Sequence, residues 1–254
     1  MAERFDGART WVTGASAGIG TALVKVLVGR GARVAMTARR RDLLDQIARE
    51  HGGARLLVVP GDVTDRAAVT AAARAIEAEW GGIDLAIFNA GGVIEHDFVQ
   101  TMALNYFSVV YGIEAVVDGM VARGSGHIAA VASLAGYRAA GVATEYGASK
   151  AAVIHLMDGL RFSLEPRGVR VTVVNPGFVR TPLTDKNDFR MPFLVEADAA
   201  AERIVKGLER GKKEIHFPAP MSWAAKVLRA LPYPVYERLI RALQPAPATK
   251  APTR

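Results

Sequence analysis

The chain has 254 residues, half of them apolar, with 32 lysines and arginines against 25 acidic residues, no cysteine and a formal charge of +7. That length and apolar share suit one sizeable core. The lack of cysteine excludes disulfides, thiolate metal sites and a cysteine nucleophile, and the five histidines have no metal-ligand spacing. No apolar run reaches the roughly eighteen residues a membrane helix needs, and the charged stretch Met1 to Arg9 does not read as a signal peptide, so a cytoplasmic protein is expected. The basic residues are scattered rather than interleaved with aromatics, which argues against a nucleic-acid surface. Two clusters stand out: Arg39-Arg40-Arg41 and the basic residues from Lys206 onward.

Short β-branched or apolar runs alternate with longer helical-period segments, the rhythm of crossover helices on a parallel sheet, so the fold class is α/β. Strands are predicted near Thr10–Thr13, Arg33–Thr37, Leu56–Val59, Leu85–Phe88, Ile128–Ala132, Val169–Val174 and Ile215–Phe217. Helices are predicted at Ile19–Gly29, Arg41–His51, Arg66–Trp80, Val99–Ala122, Tyr146–Leu164 and Ala197–Glu209. Neither a repeat nor a linker divides the chain, so residues 1–254 read as one domain. Residues 181–195, which contain Pro182 and Pro192, are a candidate substrate lid. Residues 221–243 read as an amphipathic extension: Trp223, Val227, Leu228 and Leu231 recur at helical spacing against Lys226 and Arg229 before Pro232 and Pro234 break the run. Its plainer reading is a helix docked on the core or on a subunit. The sharper one is peripheral membrane contact.

The chemistry starts at Thr13-Gly14-Ala15-Ser16-Ala17-Gly18-Ile19-Gly20, between the first strand and first helix. Glycines there let backbone N–H groups and the helix dipole approach a pyrophosphate. At the end of the second strand, where an NAD site would place an acid for the adenosine ribose, stand Arg39, Arg40 and Arg41; guanidiniums suit a 2′-phosphate, which predicts NADP(H). Tyr146 and Lys150 are four apart, on one helix face. A nearby ammonium favours the phenolate, so Lys150 is expected to lower the tyrosine pKa. In such an arrangement Ser133 would hydrogen-bond the substrate oxygen while Tyr146 acts as general acid or base.

Thr13-Gly14-x-x-x-Gly18-x-Gly20, Asp62-Val63, Asn89-Ala90-Gly91, Asn105, Ser133, Tyr146-x-x-x-Lys150 and Pro176-Gly177 follow in order along the chain. Together they resemble the short-chain dehydrogenase/reductase superfamily over roughly residues 5 to 217. The resemblance implies a Rossmann-type doubly wound parallel sheet of about seven strands. It also implies NADP(H)-dependent hydride transfer between nicotinamide and a carbonyl or secondary alcohol. By the same resemblance Gly14, Ser16, Gly18, Ile19 and Gly20 surround the pyrophosphate and adjoining ribose. Asp62 and Val63 contact adenine, and Asn89, Ala90 and Gly91 line the adenosine-side ribose. Lys150 binds the nicotinamide ribose, and Pro176, Gly177, Val179 and Thr181 fix the nicotinamide. Asn105 resembles the family's helix asparagine, whose backbone carbonyl holds a water linking Lys150 to solvent. The chain departs from the pattern in a short Gly91-to-Asn105 interval, in Phe88 before the Asn-Ala-Gly motif, and in Ala17 where some NADP-preferring relatives carry a base.

An apolar or lipid-like ketone is the expected substrate, with Leu134, Ala135, Tyr137, Gly92, Val93 and Phe178 on the substrate side. The alternative is a non-catalytic dinucleotide-binding regulator or scaffold. Small residues in the helices near Val99 and Tyr146 permit close packing of copies, and the resemblance implies a homodimer or homotetramer.

Overall fold

The computed structural model describes residues 5–95, 97–139, 143–186 and 190–243. A seven-stranded sheet runs through the centre in the order β3-β2-β1-β4-β5-β6-β7, with every neighbouring pair parallel. The strands are β1 (Arg9–Thr13), β2 (Arg33–Thr37), β3 (Leu56–Val58), β4 (Leu85–Phe88), β5 (Gly126–Val131), β6 (Val169–Pro176) and β7 (Glu214–Phe217). Helices α1 (Gly18–Gly29), α2 (Arg41–His51) and α7 (Ala197–Glu209) pack on one face of the sheet. Helices α3 (Arg66–Trp80), α5 (Ser108–Ala122) and α6 (Thr144–Leu164) pack on the other. Burial on both faces explains why β4 to β6 read as continuous apolar runs rather than alternating ones.

The chain winds outward in opposite directions from β1 and β4. At such a switch point the connections leave the sheet on opposite sides and open a crevice beyond the strands' carboxyl ends. Phe88, the departure at the end of β4, is buried edge-on against Trp11 at 5.9 Å and packs against Gly112 of α5, where any larger side chain would collide with its ring. It belongs to the core and leaves the crevice alone.

Two expectations need correction. The helix anticipated over Val99–Ala122 is three pieces: a short α4 (Phe98–Met102), a π-helical turn (Ala103–Phe107) and α5. A π-helical turn adds one residue to the repeat, and in a stretch this rich in apolar residues the shift of phase leaves no gap in the pattern. Nor do Pro232 and Pro234 simply end the tail. Helix α8 (Ala219–Ala230) is followed by α9 (Tyr233–Leu243), and Pro234 sits in its first turn, where the missing N–H costs nothing. Helix α8 docks on this chain's own core through Met221 and Ala225, and α9 touches the Arg138–Ala139 segment through Tyr236. Arg138 donates to the carbonyls of Leu228, Arg229 and Leu231 at 3.1, 3.1 and 2.6 Å, capping α8, and Lys226 pairs with Glu214 of β7 at 2.7 Å. Among the described residues no helix is long and apolar enough to cross a membrane.

At the opposite end of the sheet from the crevice, His127 of β5 is 1% exposed, with Nε2 2.8 Å from the Thr172 hydroxyl. Burial, helped by the charge of Arg170, pushes its pKa down to about 3. The folded value lies below the unfolded one, so the unfolded chain takes up this proton first. Stability from this group is therefore complete above about pH 6.5 and is lost as pH falls towards 3. Urea unfolding at pH 7 and pH 4.5 should show wild type losing about 2 kcal/mol more than a His127→Gln variant. Equal losses would show that His127 does not drive acid sensitivity.

Candidate active site

The crevice holds a cavity of about 510 Å³, within the size range of small-molecule sites. Its floor is the turn between β1 and α1. Gly14 has φ +65°, and a side chain there would come within 2.7 Å of the Ala90 backbone, so this position needs glycine on both counts. The helix opens without a side-chain cap and without an acid in its first turn. Its first N–H groups and its positive dipole end are thus left to a ligand. Gly20 does not reach the cavity. It lies beneath the turn, where a Cβ would collide with the Gly14 carbonyl. Asn89 does line the cavity, while its amide donates to the carbonyls of Thr13 and Gly14 at 3.2 and 3.3 Å.

Ser16, Gly18, Ile19, Ala90, Gly91, Val63, Pro176, Gly177, Val179 and Thr181 all line the cavity, as expected from the sequence. At its open end stand Arg39 and Arg40, both exposed, with Arg40 donating to Ser16 Oγ at 3.2 Å. Arg41 turns away to Asp45 at 3.6 Å. Asp62 faces its own turn and not the cavity, accepting from the Thr64 amide and hydroxyl at 2.9 and 2.7 Å. Burial raises its pKa, but these bonds and the charge of Arg39 outweigh that, and the carboxyl stays below its usual range.

Ser133, Tyr146 and Lys150 meet on the cavity wall. Lys150 is 2% exposed, and its Nζ donates to the Val131 carbonyl at 2.9 Å while lying 5.6 Å from the Tyr146 ring centre. Burial alone brings its pKa down to about 8. The half-buried Tyr146 behaves differently from the expectation. Burial pushes its pKa up, and only the hydrogen bond with Ser133 pulls it down. The lysine is held by the strand end and is itself desolvated, so in this geometry it does not lower the phenol.

Asn105 sits behind the cavity, fully buried in the π-helical turn. Its side chain accepts from the Gly92 amide and donates to the Gly92 carbonyl, both at 2.8 Å, and donates to Ser149 Oγ at 2.9 Å. Ser149 in turn donates to the Tyr146 carbonyl at 2.8 Å. The residue therefore ties the loop after β4 to the helix that carries Tyr146 and Lys150. Sequence reading missed Ser149, although a small hydroxyl one residue before Lys150 on the buried face of α6 is a signal for such a tie. It also missed Leu104, which lines the cavity beside Gly91.

On the substrate side, Tyr137 was expected along the wall but turns inward, 7% exposed. Its hydroxyl donates to Glu214 Oε1 at 2.5 Å, and Asn175 joins the same carboxylate at 3.0 Å. The candidate lid begins with Thr181, Pro182, Leu183 and Thr184 on the cavity, and a parallel bridge pairs Val179 with Val195. Residues 187–189 of it lie outside the described residues.

The short chain dehydrogenase family model matches residues 9–190. An oxidoreductase of Myxococcus xanthus is 37% identical over 251 residues, covering 92% of this chain and 96% of that protein. A short-chain dehydrogenase from Streptomyces avermitilis has 25% identity and a TM-score of 0.79, covering 94% of this chain and all of that one. A Burkholderia phymatum short-chain dehydrogenase/reductase, solved with NAD, has a TM-score of 0.81 at 22% identity, with 88% and 93% of the two chains covered. The chain belongs to the short-chain dehydrogenase/reductase family. It is an oxidoreductase of that family, which uses a nicotinamide dinucleotide on small-molecule substrates.

Holding a cation in this cavity costs the fold roughly 3 kcal/mol at neutral pH, from the displacement of the Lys150 pKa. The unfolded amine keeps its proton to higher pH, so wild type gains stability as pH rises from about 8 towards 10.5. A Lys150→Met variant should be more stable to urea than wild type at pH 7, with the gap closing by pH 10. A gap independent of pH would show that the amine is not the strained group.

Proposed function

We propose that the protein is an NADP(H)-dependent reductase of apolar ketones, with Tyr146 as general acid and Ser133, Lys150 and Asn105 as its partners. The observation that carries this reading is the junction of two features in one cavity. An uncapped glycine-rich helix start is overlooked by Arg39 and Arg40, and the half-buried Tyr146 and Ser133 stand with the buried Lys150 at the far end. The fit to a dinucleotide is physical: at Gly14 and Gly91 an added Cβ would meet neighbouring atoms within 3 Å, so both strand-end loops are shaped for close backbone approach.

NADPH, when bound, supplies the hydride. The turn from Gly14 to Ile19 holds its pyrophosphate, Arg39 and Arg40 its 2′-phosphate, Val63 the adenine end, and Asn89, Ala90 and Gly91 the adenosine ribose. Pro176, Gly177, Val179 and Thr181 fix the nicotinamide, and Lys150 holds its ribose. Ser133 donates to the carbonyl oxygen of the substrate, and Tyr146 transfers its proton to that oxygen as negative charge grows there. Burial raises the Tyr146 pKa and so keeps the acid protonated before the reaction. Reprotonation of the phenolate left behind runs past Lys150 and Asn105. The apolar residues Leu104 and Leu183 in the cavity lining favour an apolar ketone over a sugar or a charged acid. Exposed Val99, Phe107 and Phe162, on the surfaces of α4, the π-helical turn and α6, support assembly into a homodimer or homotetramer in the cytoplasm.

The first test is a fluorescence titration with NADPH and, separately, NADH. NADPH should bind at least about tenfold more tightly, and Arg39→Ala should remove most of that preference while leaving NADH within about twofold. Equal affinities in wild type would overturn the cofactor assignment. Tyr146→Phe should abolish NADPH-dependent reduction of a hydrophobic ketone panel with little change in NADPH affinity. Retained turnover would remove Tyr146 from its role.

A further inference from the structure

Behind the cavity wall, polar side chains from three distant segments meet. Tyr137, in the turn after β5, donates to Glu214 Oε1 at 2.5 Å. Asn175, the residue of β6 before Pro176, donates to the same oxygen at 3.0 Å and to the Tyr137 hydroxyl at 3.3 Å. Lys226 takes the other oxygen, Oε2, at 2.7 Å, so Oε1 is left to Tyr137 and Asn175. Tyr137 and Asn175 are both buried, and neither lines the cavity. Asn175 Oδ1 is buried with no hydrogen-bond partner among the described residues, so this triangle is what holds the side chain.

Each arm of the triangle leads to one side of the reacting centre. Ser133 to Tyr137 form one tight unit: the Gly136 amide donates to the Ser133 carbonyl at 3.0 Å, the Tyr137 amide to the Leu134 carbonyl at 3.1 Å, and the Ala135 amide to Ser133 Oγ at 3.1 Å. A shift of Tyr137 is therefore passed on to Ser133. On the other arm, Asn175 is followed by Pro176, whose carbonyl accepts from Ser133 Oγ at 3.4 Å, and by Gly177, whose amide donates to the Phe217 carbonyl at 2.7 Å. A carboxylate suits this junction because it accepts and never donates, so one group takes a phenol, an amide and an ammonium together. Burial first and this carboxylate second push the Tyr137 pKa up, so its hydroxyl keeps the proton it donates and is no second acid for the reaction.

We propose that Glu214 is a positioning residue of the reduction site, its Oε1 fixing the Ser133 turn relative to the Pro176-Gly177 strand end. This role rests on the reading above, in which Ser133 holds the substrate oxygen and Pro176-Gly177 the nicotinamide. The two segments then carry the two partners of hydride transfer, and their separation sets the alignment of ring and carbonyl. A misplacement of about 1 Å can cost as much as a hundredfold in rate. The dinucleotide is gripped mainly at the other end of the cavity, by the glycine-rich turn and by Arg39 and Arg40, so the loss falls on turnover and not on cofactor affinity.

The test compares Glu214→Ala, Glu214→Gln, Tyr137→Phe and the Glu214→Ala/Tyr137→Phe double variant in NADPH-dependent reduction of the hydrophobic ketone panel. Glu214→Ala and Tyr137→Phe should each lower kcat about tenfold, while NADPH affinity by fluorescence titration stays within about twofold and shows that the variants are folded. The double variant should be no slower than Glu214→Ala, because both changes break the same bond. Glu214→Gln keeps an acceptor oxygen for Tyr137 and Asn175 and should retain at least about a third of wild-type turnover. Single variants within about twofold of wild type would overturn the proposal, as would losses that multiply in the double variant or a glutamine variant as slow as the alanine one. Hydrogen exchange gives a readout that needs no turnover: the amides of Gly136, Tyr137 and Gly177 should exchange at least about tenfold faster in Glu214→Ala than in wild type. Unchanged exchange at all three would likewise overturn the proposal. Absence of ketone reduction by wild type would instead remove the reductase reading, and the exchange rates alone would then decide whether Glu214 fixes the two segments.

Discussion

An amine buried against the carboxyl end of a parallel sheet is the constraint around which this molecule is arranged. Lys150 reaches the Val131 carbonyl only because α6 lies close on β5, and every neighbouring segment gives way to it. A Cβ at Gly91 would stand 2.9 Å from the amine and 2.8 Å from Asn105 Oδ1. A Cβ at Gly136 would stand 2.7 Å from the Lys150 backbone. The loop after β4 and the turn after β5 can therefore approach α6 only where the chain has no side chain. Asn105 then locks the first of these loops by pairing with both polar groups of Gly92, so that neither is left unpaired.

The arrangement is expensive in two places, and both are at the crevice. Lys150 retains a proton at neutral pH despite full burial, and the Arg39–Arg41 cluster puts positive charge at the start of α2, where the helix dipole opposes it. Asp42 in the first turn and the Arg41–Asp45 pair offset part of the second cost. What remains is charge held in place ahead of any ligand. Strain of this kind, gathered where the sheet switches direction, is the usual mark of a binding site and not of a framework.

Most of the framework was legible because each strand and helix states its own period. Strands β2 and β4 and helices α2, α3 and α7 match the sequence reading residue for residue, and apart from the interrupted Val99–Ala122 stretch the other expected elements of the sheet and its crossovers differ by a few residues at an end. What could not be read was pairing between distant groups. Asn89 lines the cavity as its motif implies, but that its amide also ties down carbonyls some seventy-five residues earlier in the chain has no local signal. Tyr137 looks like a substrate-side aromatic until Glu214, on a strand far along the chain, claims its hydroxyl. Asp62 satisfies Thr64 locally, and Gly20 serves the turn from below. The motif residues were recognised by type and order; which face of the turn each served depended on partners that no local pattern names. The lysine's effect on the tyrosine pKa was misjudged for a related reason, since spacing gives proximity but not the competing pull of burial.

The tail shows how such distant pairings tie an apparently separate extension into the site. Glu214 of the edge strand accepts from Tyr137 and Asn175 and pairs with Lys226, so one carboxylate joins the turn after Ser133, the strand leading into Pro176-Gly177, and helix α8. Burial raises the Glu214 pKa, but its three donors more than compensate and hold the carboxylate ionised. Buried networks of this kind are strong when every member is satisfied and are disrupted by loss of one, because the others are then left unpaired in a low-dielectric setting. Displacing α8 would strip Lys226 from Glu214 and leave the carboxylate to be held by Tyr137 and Asn175 alone. The hairpin is thus part of the wall that positions Ser133 and the segment beginning at Pro176. An influence acting on its outer face would reach the site through this carboxylate and through the packing of Met221 against Gly177.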